Sequence, residues 1–277
     1  MSAGILDPDG IPSTSSDASN LTLIDLGFGC GDQVIYLTQI LRGATAKQIV
    51  DSTNAEPMAS LFDIYVGMTI SPSQFTFARH RLYSYSKHDK TKIRLFCADA
   101  ANPDSWSKDI HEALTDLPAQ RQETNPASSS LKRTTWILAL DSLYHFIPSR
   151  EPIFHYAFEE LKASIMAFDI LLSDKPSIRD LILLRIVAYF TGTPFSNFLT
   201  IAQYKNQLLA AGYESSQIDI QDISEHVFDG VSSFMETRGR ELEYIGMDIG
   251  RYGLAGKVFK WWAQTGIVRG CIIVAKR

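Results

Sequence analysis

Apolar runs and polar breaks alternate along this chain in a way that sets its fold class. Leu21–Leu26 is a short apolar run closing on glycines, the pattern of a buried strand followed by a tight turn. Asp32 then stands where a helix cap is expected, and Val34, Leu37 and Leu41 share one face of a helix running to about Arg42. Gly43–Ser60 is polar and irregular and reads as a surface loop. Leu61–Ile70 predicts a second strand. Pro72 suits the first turn of a helix to about Tyr83, with Phe75, Ala78, Arg79 and Leu82 on one stripe. The alternation continues with a strand at Ile93–Ala98, a helix at Asp104–Leu117 and a mobile loop at Asp116–Arg133. A strand at Trp136–Leu140, a helix at Ser149–Ala163 and a fifth strand at Ile165–Leu172 follow. Such a β-α repeat implies a mostly parallel, doubly wound α/β sheet with helices on both faces.

Beyond the fifth strand the pattern changes. Pro176–Phe198 is apolar and aromatic and does not fit the alternation; it predicts a helical lid over the strand ends. Ile201–Ala211 reads as a helix closing on Gly212, and Ile218–Ile223 as a strand. Val268–Ala275 predicts a last strand, inserted antiparallel at the sheet edge. Residues 1–20 are rich in Ser, Asp, Pro and Gly and predict a flexible segment, leaving residues 21–277 as one domain.

Composition narrows the function classes. With 45% hydrophobic and 21% charged residues, the 277-residue chain is ordinary for a globular protein with a sizeable core. A net charge of -5 and the absence of any Lys/Arg run argue against a nucleic-acid partner. Cys30, Cys97 and Cys271 lie far apart, with no CxxC or Cys/His pairing, so neither a disulfide framework nor a metal site is expected. The N-terminus lacks the basic and apolar regions of a signal peptide, and Ile178–Ile201 is interrupted by Arg179, Asp180, Arg185 and Pro194. A cytoplasmic location without stable membrane insertion is therefore the expectation.

Candidate chemistry sits at the strand ends. Ile24-Asp25-Leu26-Gly27-Phe28-Gly29-Cys30-Gly31-Asp32 sets glycines at alternating positions after a strand, where the backbone can approach a ligand. A dinucleotide site would require G-x-G-x-x-G, but the sixth position here is Asp32, whose carboxylate would face a diphosphate. The second strand runs into Val66-Gly67-Met68-Thr69-Ile70-Ser71-Pro72-Ser73-Gln74, where Ser71 also suits a plain helix cap. The third ends in Phe96-Cys97-Ala98-Asp99-Ala100, and Asp99 offers an acceptor for an amino group. Trp106 could flank such a ligand, although a tryptophan on an amphipathic helix is more often core. The fourth strand ends in Asp141-Ser142-Leu143-Tyr144-His145, at the edge where open α/β sheets bind ligands.

Taken in order, these motifs resemble class I S-adenosylmethionine-dependent methyltransferases. The D-x-G-x-G-x-G spacing is similar to their first motif, whose ligand carries an ammonium and a sulfonium. The G-x-T-x-S-x-x-Q run of Gly67–Gln74 resembles the branch with cyclopropane fatty acid synthases, sterol and tocopherol methyltransferases, and glycine/sarcosine methyltransferases. The Y-x-x-x-L-x-x-A-G-Y run of Tyr204–Tyr213 fits the same branch. The resemblance implies a Rossmann-like seven-stranded sheet with an antiparallel last strand. It further implies S-adenosylmethionine as cofactor, with S-adenosylhomocysteine as product. Asp25, Gly27, Gly29 and Gly31 would form the cofactor turn, Thr69, Ser71 and Gln74 would meet the ribose, and Asp99 with Ala100 would meet the adenine. Asp141 would border the same pocket, and His145 and Tyr144 would be the catalytic candidates.

The implied activity is methyl transfer to a small molecule, in lipid or secondary metabolism, by a monomer or homodimer. Tyr189, Phe190, Phe195 and Phe198 in the predicted lid suggest an apolar or aromatic acceptor, unless these rings simply form core. Two alternatives stay open: a catalytically silent cofactor-binding protein acting through a partner, and a macromolecular methyltransferase. Against the latter, no N-P-P-Y-type run follows the fourth strand. The resembled enzymes carry a helical N-terminal segment covering the cofactor. Residues 1–20 do not read as one, so a cover is expected from Pro176–Phe198, from a partner subunit, or from residues ahead of this sequence.

Overall fold

Each predicted strand of the first half forms, and the sheet they build sets the position of everything else. The computed structural model describes residues 21–38, 61–85, 92–115 and 134–277. The expected N-terminal segment and the loops at Gly43–Ser60 and Asp116–Arg133 lie outside the described residues, as does any continuation of the first helix beyond Thr38. The strands are β1 (Leu21–Leu26), β2 (Ile64–Thr69), β3 (Lys92–Cys97), β4 (Thr134–Leu140), β5 (Ser164–Leu172), β6 (Ile218–Asp222) and β7 (Val268–Ala275). They form one seven-stranded sheet in the order β3-β2-β1-β4-β5-β7-β6. β1 pairs in parallel with β2 and β4, as do β2 with β3 and β4 with β5, whereas β7 runs antiparallel to both β5 and β6. The last strand therefore has the expected direction but not the expected place: it lies inside the sheet, and β6 takes the edge.

The helices are α1 (Asp32–Thr38), α2 (Pro72–Tyr85), α3 (Lys108–Thr115), α4 (Glu151–Glu159), α5 (Ile178–Thr191), α6 (Ile201–Ala210), α7 (Phe228–Tyr244) and α8 (Arg251–Thr265). Period-two alternation splits the core. Ile24 and Leu26 of β1 pack with Ile110 of α3, Phe154 of α4 and Leu208 of α6. Leu23 faces the other way, with Val34 of α1 and Ala78 of α2. A third cluster joins Leu184 and Ala188 of α5 to Phe228 of α7, Trp262 of α8 and Ile170 of β5.

Several boundaries need correction. The helix expected at Asp104–Leu117 begins only at Lys108, because Pro103–Ser105 makes a separate 3₁₀ turn and leaves Trp106 extended. The helix expected at Ser149–Ala163 spans Glu151–Glu159, since Lys162 adopts a positive φ of 51° and breaks it. Residues 228–265, which the apolar pattern does not mark, contain α7 and α8 packed side by side.

Candidate functional site

The carboxyl ends of β1, β2, β3 and β4 carry the sequence-predicted residues, and the structure distinguishes their roles. After β1 the chain turns through three left-handed glycines, Gly27 (φ 104°), Gly29 (φ 61°) and Gly31 (φ 91°). Two of them are packing positions. A Cβ on Gly27 would stand 2.9 Å from the Ser142 side chain, and one on Gly31 would stand 2.9 Å from that of Ala78. Gly29 is different: a Cβ there would meet nothing within 4 Å. The Gly27 amide donates to the Met68 carbonyl at 2.8 Å, and the Ser142 hydroxyl donates to the Leu26 carbonyl at 2.7 Å. The turn is thus clamped to β2 on one side and to the β4 end on the other.

Asp25 lies beneath this turn, fully buried. Its Oδ2 accepts from the Tyr65 hydroxyl and, at 2.8 Å, from the Gln33 amide, while Oδ1 has no partner. Burial pushes its pKa up to about 7 against the opposing pull of those two donors. The Asp25 side chain therefore supports the turn from within. Asp32 is exposed and pairs with Arg81 at 2.6 Å, which holds its pKa below the usual carboxylate value.

At the β2 end the predicted pair does meet. Thr69 donates to the Gln74 side-chain carbonyl at 3.0 Å, and the Ser71 amide points at the Thr69 hydroxyl at 3.3 Å. Ser71 accepts from the Gln74 amide at 3.4 Å, so its hydroxyl caps α2. At the β3 end Asp99 is exposed, its Oδ1 accepting from the Ala101 amide at 2.9 Å, and Ala100 is buried. Trp106 is core: its indole donates to the Asp99 carbonyl at 2.8 Å, and its ring meets Tyr156 edge-on at 5.1 Å.

The β4 end brings together Asp141, Tyr144 and His145. Asp141 has a positive φ of 60°, unusual for a residue with a side chain. Desolvation raises its pKa, and the Tyr144 phenol opposes that; in turn burial and the nearby Asp141 raise Tyr144. The Tyr144 and His145 rings lie 4.1 Å apart between centroids. His145 Nδ1 stands 3.2 Å from the Thr193 hydroxyl, and desolvation lowers its pKa, so the imidazole is neutral at pH 7.

Thr193 belongs to the Thr191–Pro194 break after α5, so the predicted lid segment does reach His145. The aromatic residues of that segment divide. Phe198 is buried and Phe195 packs with it in the third cluster, both as core, whereas Tyr189 and Phe190 are exposed.

Sequence reasoning missed the residues that fix this loop. Asn197, buried, donates from its side-chain amide to the carbonyls of Tyr144 (3.1 Å) and Phe146 (2.6 Å), bracketing His145. Arg150 donates to the Asn197 carbonyl at 3.0 Å and pairs with Asp169 at 3.2 Å, both charged groups fully buried. The Arg150 guanidinium also lies 4.9 Å from the Tyr204 ring centroid. Asp169 is pushed up to about 6 by burial, against the pull of Arg150. Among the described residues no cluster of His, Cys, Asp and Glu is arranged to hold a metal ion, and no helix is long and apolar enough to cross a membrane.

Comparison with known structures decides the fold. A mycolic acid cyclopropane synthase in complex with S-adenosylhomocysteine superposes with a TM-score of 0.59 at 12% identity, covering 94% of this chain and 79% of that one. A Haemonchus contortus phosphoethanolamine N-methyltransferase, in complex with its phosphomonomethylethanolamine and S-adenosylhomocysteine, gives 0.57 at 11% identity over 94% of this chain. The fold is that of the S-adenosylmethionine-dependent methyltransferases. A [4+2]-cyclase shares it too, with a TM-score of 0.56 at 17% identity, covering 94% of this chain and 76% of that one. The chain spans about half of the Haemonchus protein, 49% of its length. No family model and no curated protein matches the sequence. The Rossmann-like sheet expected from the motifs is therefore established as a fold, and the cyclopropane synthase belongs to the branch those motifs resemble. Chemistry has to be argued from the site.

Proposed function

We propose that this chain transfers the methyl group of S-adenosylmethionine to a small-molecule acceptor by in-line displacement. One observation carries the reading: the left-handed Gly29 has open space where its Cβ would lie, in a turn whose Gly27 amide is bonded to Met68, the residue before Thr69 and its Gln74 partner. A turn held by two packing glycines and open at the third suits a ligand that passes close to the backbone. Two similar folds in complex with S-adenosylhomocysteine add support. In this reading Gly27, Gly29 and Gly31 shape the cradle, and Asp25 stiffens it from below. Thr69 and Gln74 hold the ribose hydroxyls, Ser71 orders the start of α2 beside them, and Asp99 with the Ala100 backbone holds the adenine.

The cofactor supplies an electrophilic methyl group when bound. The protein's task is orientation, a contribution that can reach several kcal/mol of the barrier. His145 is neutral at pH 7 and accepts the acceptor's proton at Nε2 when its Nδ1–H donates to Thr193. Tyr144 and Asp141 line the same edge. An oxygen or carbon acceptor needs this base, while an amine needs only its neutral form. The acceptor is an apolar, aromatic or amine-bearing metabolite or lipid, walled on one side by residues 176–198 acting as a lid on the 21–277 domain.

Calorimetry with S-adenosylmethionine and S-adenosylhomocysteine tests the reading. The wild type binds with a dissociation constant of about micromolar, roughly 8 kcal/mol. Gly29→Val abolishes binding, since its side chain fills the open space over the turn; because a φ of 61° strains a β-branched residue, a circular dichroism melt first establishes that the variant is folded. Unchanged binding in folded Gly29→Val would sink the assignment. Binding without turnover of any metabolite pool would indicate the silent, partner-directed alternative.

A further inference from the structure

α5 presents a face that the other described residues leave uncovered. Its apolar exposed residues are Ile178, Ile182, Leu183, Ile186, Tyr189 and Phe190, with Ile178 at 78% and Tyr189 at 82% exposure. At 3.6 residues per turn they share one arc of about 140°. Leu184 and Ala188 on the opposite side are buried in the third cluster. A helix that is apolar on both sides, with one side in solvent, marks a surface made for something else.

Charge says what that something is. The other exposed side chains on α5 are Arg179, Arg185, whose guanidinium lies 5.1 Å from the Phe195 ring centroid, and the neutral Thr191. Asp180, its one carboxylate, accepts from the Ser177 hydroxyl at 2.6 Å at the helix start. Just before the helix Lys175 is exposed, and Asp174 is paired with Arg269 at 3.7 Å. In a chain of net charge -5, this face carries cations alone. A second copy meeting it about a two-fold axis would set the arginines against the same patch, with no acid to receive them. An anionic interface fits better: the aliphatic stems of the arginines lie along the apolar surface while their guanidinium groups reach phosphates. Fourteen residues extend only about 21 Å, so the helix would lie in the plane of such an interface.

We propose that the outward face of α5 docks on the surface of an anionic lipid layer. The face ends at Tyr189 and Phe190, about one turn of chain before Thr193 and its contact with His145. For the acceptor alone the inference rests on the methyl-transfer reading, and it narrows that acceptor to a lipid or a lipid-dissolved molecule.

Co-sedimentation of the full chain with vesicles of phosphatidylcholine, and of phosphatidylcholine mixed with phosphatidylglycerol, tests the docking. The wild type sediments with the mixed vesicles, less so as salt is raised. The double variant Ile182→Glu/Ile186→Glu loses about tenfold or more of that binding. Arg179→Gln and Arg185→Gln each lose about fivefold on the mixed vesicles. Both positions are exposed, and circular dichroism melts establish that the variants stay folded. No sedimentation with either vesicle, or equal sedimentation of wild type and variants, overturns the proposal. So does a wild-type dimer in sedimentation velocity that the isoleucine variant dissolves while vesicles go unbound. Cofactor calorimetry on the same samples separates the two readings: vesicle binding without cofactor binding sinks methyl transfer and leaves docking intact, and the reverse does the opposite.

Discussion

Asp25 titrates where carboxylates ordinarily do not. Its folded-state pKa of about 7 lies above the ordinary 3.8, so between those values the folded chain holds a proton that the unfolded chain releases. The contribution is present in full below about pH 4 and is lost as pH rises through about 7. Asp25→Asn cannot ionise, so it should lose less stability than the wild type between about pH 5 and about pH 8 in urea unfolding. Part of the slope remains, because Asp169 is raised in the same direction. Equal slopes in the two proteins would mean that the folded carboxyl is already ionised. On the ligand side, Asp99→Ala should weaken cofactor binding by about 1–3 kcal/mol, the cost of losing a charge-assisted hydrogen bond. Thr69→Val should cost less, since the ribose can turn to Gln74 or water. Calorimetry giving the reverse order would show that ribose and adenine have been exchanged. These residues are legible in one sequence because each lies within a few positions of a strand end. Asn197 and Asp169 are not, because nothing in the chain announces that residues 19 to 47 positions from Arg150 will meet it.

At the scale of elements, the loop after β4 is held by a buried charge pair acting through an amide. Removing one partner strands the other charge in the core, so Arg150→Met should cost about 3–5 kcal/mol in urea unfolding. Arg150→Met/Asp169→Leu should recover much of that loss; a double variant no more stable than the single one would argue against a stranded charge. The α5 segment makes a separable prediction. Tyr189→Ala or Phe190→Ala should raise the acceptor's KM or lower kcat, while cofactor affinity stays within about threefold, ~0.7 kcal/mol. Cofactor affinity lost with acceptor kinetics intact would show that the segment covers the cofactor instead. α7 and α8 escape sequence reading for a physical reason. Gly230, Gly239, Gly253 and Gly256 interrupt their periodicity and lower helix propensity. In the fold some of those glycines serve packing: a Cβ on Gly256 would stand 3.2 Å from Met235, and one on Gly253 would stand 3.1 Å from Ile249. Close approach of the two helices substitutes for an apolar stripe.

For the whole molecule, the strand order departs from the chain order where β1 lies beside β4 and again where β7 passes between β5 and β6, and no local pattern encodes the second departure. β1 to β5 are legible because each is an apolar run closed by turn residues, and a parallel β-α sequence has few ways to assemble. β7 reads as a strand but not as an interior one, since its apolar run would suit either place. That position has a kinetic consequence. β6 bonds only to β7, so once made it has no partner in the sheet until the chain has passed through α7 and α8. Until then β5 presents an open edge, the kind of unpaired backbone that invites wrong partners. Assembly should therefore proceed in two stages, with the five parallel strands consolidating first and the far side zipping up late, over contacts distant in sequence. Pulse-labelled hydrogen exchange during refolding would register the delay, the amides of β6 gaining protection together with those of β7 and after those of β1 and β4.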